Sequence, residues 1–238
     1  MTKKKLDQFR GKLTPAKIAA GMTAACANAH RLAKAARLLL ENGHYALSAS
    51  IAAISIEEAG KPTILRALAM ATSEQQLSQC WRDFRTHTRK NLMWLLPQLV
   101  SQGARKLDDF RPLFEDDAEH PFLLDQVKQI GFYTDCLGKA HWSIPSDVID
   151  KSLATMMVSI AEILGKEKSH SETEVQLWIK HMAHVQKRPK ELVEHALAQW
   201  YKDMQAHGLL PEGKNEMEDF ILTGLHKRNP GSPEQGDG

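Results

Sequence analysis

The chain has 238 residues and a mass of 26.7 kDa, with 42% hydrophobic and 25% charged residues, the balance of a globular protein built on a real core. Its net charge of +2 is too small to imply a nucleic-acid partner, so any electrostatic case depends on where the charges sit. No apolar run approaches the roughly 18 residues of a membrane span, and the opening MTKKKLDQFRGK has basic residues with no hydrophobic run behind them, which excludes a membrane helix and a signal peptide.

In chain order, residues 1–13 form a basic N-terminal arm. From Thr14 to Gly43, apolar residues recur at Ile18, Met22, Ala25, Ala29, Leu32, Ala36 and Leu39, the stripe of one helix. Thr14-Pro15 is a strong start and Asn42-Gly43 a strong stop. A second helix from Ala46 carries the stripe Leu47, Ile51, Ile54, Glu58, Lys61, Leu65 and Leu68. Pro62 predicts a break or kink near residue 60, because it removes a donor and pushes Lys61 from helical geometry. "TSEQ" at 72–75 predicts a capped helix running to about Val100, with Pro97 bending its last turn.

The acidic, proline-bearing segment 103–121 reads as a loop, 122–136 as a helix, and 137–145 as a turn with aromatic anchoring. Three further helices are expected over 146–168, 171–185 and 189–207. From Pro211 the residues become Gly-, Pro-, Glu- and Asn-rich, predicting a disordered tail over 211–238. The expected architecture is all-α: a helical bundle over 14–168, a helical C-terminal extension over 169–210, and the tail.

Chemistry concentrates in "WRDFRTHTRKN" at 81–91. On a continuous helix the inward stripe is Trp81, Phe84, Thr88, Leu92 and Leu95, with His87 beside it. Asp83 and His87 are four apart, so the carboxylate can reach one ring nitrogen and set the basicity of the other. Arg82, Arg85, Arg89 and Lys90 surround them with positive charge. An arginine fork suits phosphate oxygens, and a histidine titrating near neutrality can move a proton, which together would support RNA cleavage without a metal. The same window reads equally as a solvated basic helix face, since Arg-x4-His arises readily by chance.

On the second helix, the stripe puts Glu58 on the core side, where a carboxylate needs a cationic or backbone partner. Glu57 and Lys61 are spaced for a surface pair. The partner of Glu58 could be merely structural, or Glu58 could hold a functional arginine. Glu-x-x-His pairs at Glu41/His44 and Glu167/His170 lie at helix ends, and His181 and His184 lack a third ligand, so no metal or cofactor is expected. Cys26, Cys80 and Cys136 are too scattered for a disulfide framework and fit reduced thiols in a cytoplasm.

The ordered series "LLLENGHYALSASIAAISIEEAGKP", "WRDFRTHTRKN" and "QIGFYTDCLGKAHWSIP" resembles the AbiV family of bacterial abortive-infection proteins, itself similar to the HEPN superfamily of helical bundles. The resemblance covers roughly 15–168. It implies a HEPN-like bundle, and its Arg-polar-x3-His ribonuclease motif falls on Arg82, Asp83 and His87. On that reading Arg82 contacts the scissile phosphate, His87 transfers the proton and Asp83 orients it, while Arg85, Arg89 and Lys90 hold RNA backbone. Glu57, Glu58 and Lys61 match a supporting "EE-x-GK" signature, with Glu58 expected to orient Arg82 or to link the bundle. The resemblance further implies a homodimer with two motifs facing each other, an RNA partner, and arrest of translation. Because an active ribonuclease would kill its host, the protein is expected to be held silent until infection, by a phage-encoded trigger or activator protein, a partner or an oligomeric state. The alternative the resemblance leaves is a non-catalytic dimeric module that halts translation by binding a protein or the ribosome.

Overall fold

A computed structural model of the chain describes residues 7–86, 99 and 120–224. The elements are α1 (Pro15–Glu41), α2 (Tyr45–Ala69), α3 (Glu74–Arg85), α4 (His120–Phe132), β1 (Asp135–Leu137), β2 (His141–Ser143), α5 (Pro145–Val148), α6 (Lys151–Leu164), α7 (Glu172–Met182), a 3-10 turn (Ala183–Val185), α8 (Lys190–Ala206) and α9 (Glu216–Thr223). The molecule is all-α, the one departure among the described residues being the antiparallel hairpin β1–β2, which pairs Cys136 with Trp142.

Local chemistry explains the helix ends. Thr14 Oγ1 accepts from the Lys17 amide with Pro15 opening α1, and Gly43 follows Asn42 at φ 78°, a conformation open to glycine without strain. Ser73 caps α3 by accepting from the Gln76 amide, while the Gln76 side chain accepts from the Thr72 amide, a reciprocal box shifted by one residue.

The core forms where α1 and α2 pack along their length, with α4 and α6 closing one end and α3 and α7 the other. Ala36, Ala49, Ala53, Leu124, Met157 and Val158 are buried at the first end; Ile18, Met22, Leu68, Trp81 and Val175 at the second. The abundance of alanine lets the helix backbones approach closely. Buried serines use that closeness: Ser48 Oγ donates to the Ala36 carbonyl at 2.8 Å and Ser55 Oγ to the Ala29 carbonyl at 2.7 Å. Because Val175 of α7 enters the same cluster as Ile18 and Met22, the C-terminal extension is part of the core.

Several expectations are corrected. Pro62 does not end α2, which continues to Ala69 around a buried proline. The stripe expected on α2 holds at Leu65 and Leu68, which are buried, but not in the first half, where Leu47 is 44% exposed while Ala49, Ala52, Ala53 and Ile56 are buried. Packing on several sides hides α2 nearly all round, so a single stripe does not describe it. The helix expected to reach Val100 ends at Arg85, where Thr86 turns extended (φ −83°, ψ 131°) and its hydroxyl bonds back to the Arg82 carbonyl. Residues 137–145 form most of a hairpin, with Gly138 and Ala140 at positive φ in its turn. The helix expected over 146–168 is interrupted at Ile149, after which Asp150 caps α6. Inside the segment assigned to a disordered tail, Glu216–Thr223 is helical, capped by Asn215 and tied to α8 through Tyr201 and Glu216.

Candidate functional site

Arg82, Asp83 and Arg85 occupy the last turn of α3; His87, Arg89 and Lys90 lie outside the described residues. Gln79, one turn earlier, holds two of the motif residues with one amide. Its carbonyl oxygen accepts from the Arg82 guanidinium, and its nitrogen donates to Asp83 Oδ1 at 2.8 Å. Arg82 is exposed and Asp83 half-buried. The helical four-residue relation assumed for Asp83 and position 87 is not continued by the described residues, because Thr86 is already extended.

The N-terminal segment clasps this turn. The Trp81 indole N–H donates to the Gly11 carbonyl at 3.0 Å, and Phe9 meets the Trp81 ring edge-on with centroids 6.0 Å apart. The Arg85 guanidinium stacks over Trp81 at 5.0 Å and donates to the carbonyls of Trp81 and Phe9. Arg85 therefore spends its planar fork on the fold, where the sequence assigned it to RNA backbone. Between clasp and helix lies a cleft of about 570 Å³ whose lining includes Arg10, Arg82, Arg85, Glu74, Ser78 and Thr86. Three arginines against one glutamate make the cleft basic, with Arg10 and Arg82 the guanidinium groups not committed to the clasp by the contacts described.

The "EE-x-GK" residues lie on α2, and Lys61 among them reaches α3. Glu58 pairs with Lys61 within α2, and the Lys61 ammonium lies 5.2 Å from the centre of the Phe84 ring. Of the two roles expected of Glu58, the described contacts show the link within the bundle: it pairs with Lys61, which reaches α3 at Phe84. Glu57 is the more deeply buried carboxylate, 4% exposed, and it pairs with Lys128 of α4 at 2.8 Å. Lys128 also meets Asp125, and these carboxylates raise its pKa against the opposing effect of burial.

Sequence reasoning missed Arg10, Gln79 and Lys128. Gln79 was findable, since it lies three and four residues from Arg82 and Asp83 on one helix. Arg10 and Lys128 carried no local signal. Among the described residues no cluster of histidine, cysteine and carboxylates is arranged to hold a metal, and no helix is long and apolar enough to cross a membrane.

An alanine-rich helical bundle with a glutamate-lysine signature bracing an Arg-Asp helix end defines a HEPN-like domain. Residues 17–166 match the AbiV family model, and the chain belongs to that family of HEPN proteins, which are associated with abortive infection. No curated protein and no solved structure matches the chain.

Proposed function

We propose that this protein is an abortive-infection effector that cleaves RNA without a metal and so arrests translation. The observation carrying the reading is the exposed Arg82 on a cleft shared with Arg10 and Arg85, at the head of the Arg-Asp-x3-His motif of a HEPN family member. Arg82 binds the scissile phosphate and stabilises the charge that develops on it. His87 takes the proton of the attacking 2′-hydroxyl; the 2′ oxygen bonds phosphorus as the bond to the 5′ oxygen breaks, and the 5′ oxygen takes a proton from water, leaving a cyclic phosphate. Arg10 holds neighbouring RNA backbone, with Arg89 and Lys90 continuing the basic surface. Two copies bring two motifs to one RNA, and a phage-encoded trigger releases the activity in the cytoplasm.

The test is cleavage of RNA by the purified protein in EDTA. Cleavage is expected from the wild type and lost in His87→Ala; equal rates overturn the assignment. A second reading, a non-catalytic dimeric module that blocks translation by docking on a protein or the ribosome, draws on the exposed Tyr133, Leu137 and Trp142 around the hairpin. Growth arrest that survives both Arg82→Ala and His87→Ala would select it.

A further inference from the structure

A second cluster of reactive side chains lies where the C-terminal extension meets the bundle. The segment between α6 and α7 crosses one face of α1 and is fastened at both ends: a His30 ring nitrogen bonds the Gly165 carbonyl at 3.2 Å, and Thr23 Oγ1 accepts from the His170 amide at 2.9 Å. Cys26 lies between these two anchors on the same helix face, three residues from Thr23. Its sulfur is 3.6 Å from His170 Nε2.

The other ring nitrogen of His170 faces both carboxylate oxygens of Glu174, at 3.0 and 2.9 Å. Glu174 also accepts from Arg66 at 2.8 Å, and with a side chain only 5% exposed it stays ionised, its pKa lowered to about 2. Although burial opposes that charge, hydrogen bonds from His170 and Arg66 outweigh the opposition. A carboxylate at Nδ1 holds the proton there and leaves the Nε2 lone pair aimed at sulfur. Beside the thiol opens a cavity of about 450 Å³ lined by Cys26, Thr63, Arg66, Lys166, Lys168 and His170, with Glu167 the acidic residue on its wall.

We infer that Cys26, His170 and Glu174 form a nucleophilic thiol site for a small electrophile carrying an anionic group. Cys26 is the nucleophile, His170 the base and Glu174 the positioning residue, while Lys168 and Arg66 attract the anion. In the step, the thiol proton passes to His170 Nε2 as sulfur bonds the electrophilic carbon. The bond from that carbon to its leaving group breaks, the electron pair departs with the leaving group, and the imidazolium returns its proton to that group or to water. Burial pushes the Cys26 thiol up while Lys168 and Arg66 pull it back, so the resting state is a thiol hydrogen-bonded to the imidazole. Cys26 and Arg66 lie within the family match and His170 and Glu174 beyond it, so docking of the extension completes the site. The site does not depend on RNA cleavage.

The experiment is alkylation of the full-length protein by iodoacetate and by iodoacetamide, with rates at each cysteine read by peptide mass. Cys80 is the internal reference, because it is similarly half-buried with its thiol also pushed up by burial, but has no histidine bonded to it among the described residues. Cys26 is expected to react about tenfold or more faster than Cys80 at neutral pH, with the advantage lost in His170→Gln. Glu174→Gln should move the pH profile of the Cys26 rate. Lys168→Met, an exposed change that spares the fold, should slow iodoacetate and leave iodoacetamide unaffected. A Cys26 rate no greater than that of Cys80, or a Lys168→Met variant with unchanged preference between the two reagents, overturns the proposal.

Discussion

Lys128 Nζ lies 2.8 Å from Oε1 of Glu57, joining α4 to α2 across 71 positions of sequence between side chains that are 9% and 5% exposed. Breaking such a pair by removing one partner is costly, because a buried charge loses a close counter-charge. Lys128→Met should destabilise the protein by about 3 kcal/mol, and Glu57→Gln with Lys128→Met should recover part of that loss. Urea denaturation of the two variants checks this; a single variant with an unshifted midpoint would sink it.

Arg82→Ala and Arg85→Ala should separate chemistry from folding. Arg82 is exposed and, apart from Gln79 on its own helix, bonds nothing among the contacts described, so its loss should change stability by less than about 0.5 kcal/mol while abolishing RNA cleavage. Arg85 fastens the N-terminal segment by stacking on Trp81 and bonding Phe9. Its removal should destabilise by about 1–2 kcal/mol and expose residues 7–13 to protease. Thermal melts and limited proteolysis distinguish the two.

Glu174 sets an acid limit. Its pKa falls from the ordinary 4.5 to about 2 in the folded protein, so its stabilisation is present above the ordinary value and is lost as pH drops between those two. At neutral pH the depression corresponds to about 3 kcal/mol. Glu174→Gln should be markedly less stable than wild type at pH 7 and should approach it near pH 2, as followed by urea midpoints across that range.

Gly131 lets α4 lie against α2. A Cβ there would meet Ser50 Oγ at 2.2 Å and the Ala46 carbonyl at 3.0 Å, a backbone atom that cannot swing away. Gly131→Ala should cost about 1–3 kcal/mol despite its better helix propensity, measured by chemical denaturation. A stabilised variant would show that the two helices separate freely.

Much of the bundle was legible before its structure. The caps at Thr14, Asn42 and Ser73 are local chemistry, with donors and acceptors three or four residues apart. The Arg-Asp motif and the "EEAGK" signature were legible as strings, and both lie within the residues that match the AbiV family. Thr86 was not: its side-chain bond to the Arg82 carbonyl and its extended backbone terminate a helix whose composition reads as continuous.

What the sequence determined by itself was the all-α class with the first two helices, the absence of a long apolar run, and the residue types gathered at the end of α3. Only the tertiary structure decided which of two adjacent glutamates is buried, that Lys61 braces Phe84, and that an N-terminal segment supplies Arg10 to the cleft. It also placed His170 of the extension against Cys26 of the first helix. The physical reason is that periodicity specifies one face of a helix, whereas α2 is packed on several. The charged partners that settle its register come from segments distant in sequence, and their placement follows from packing alone.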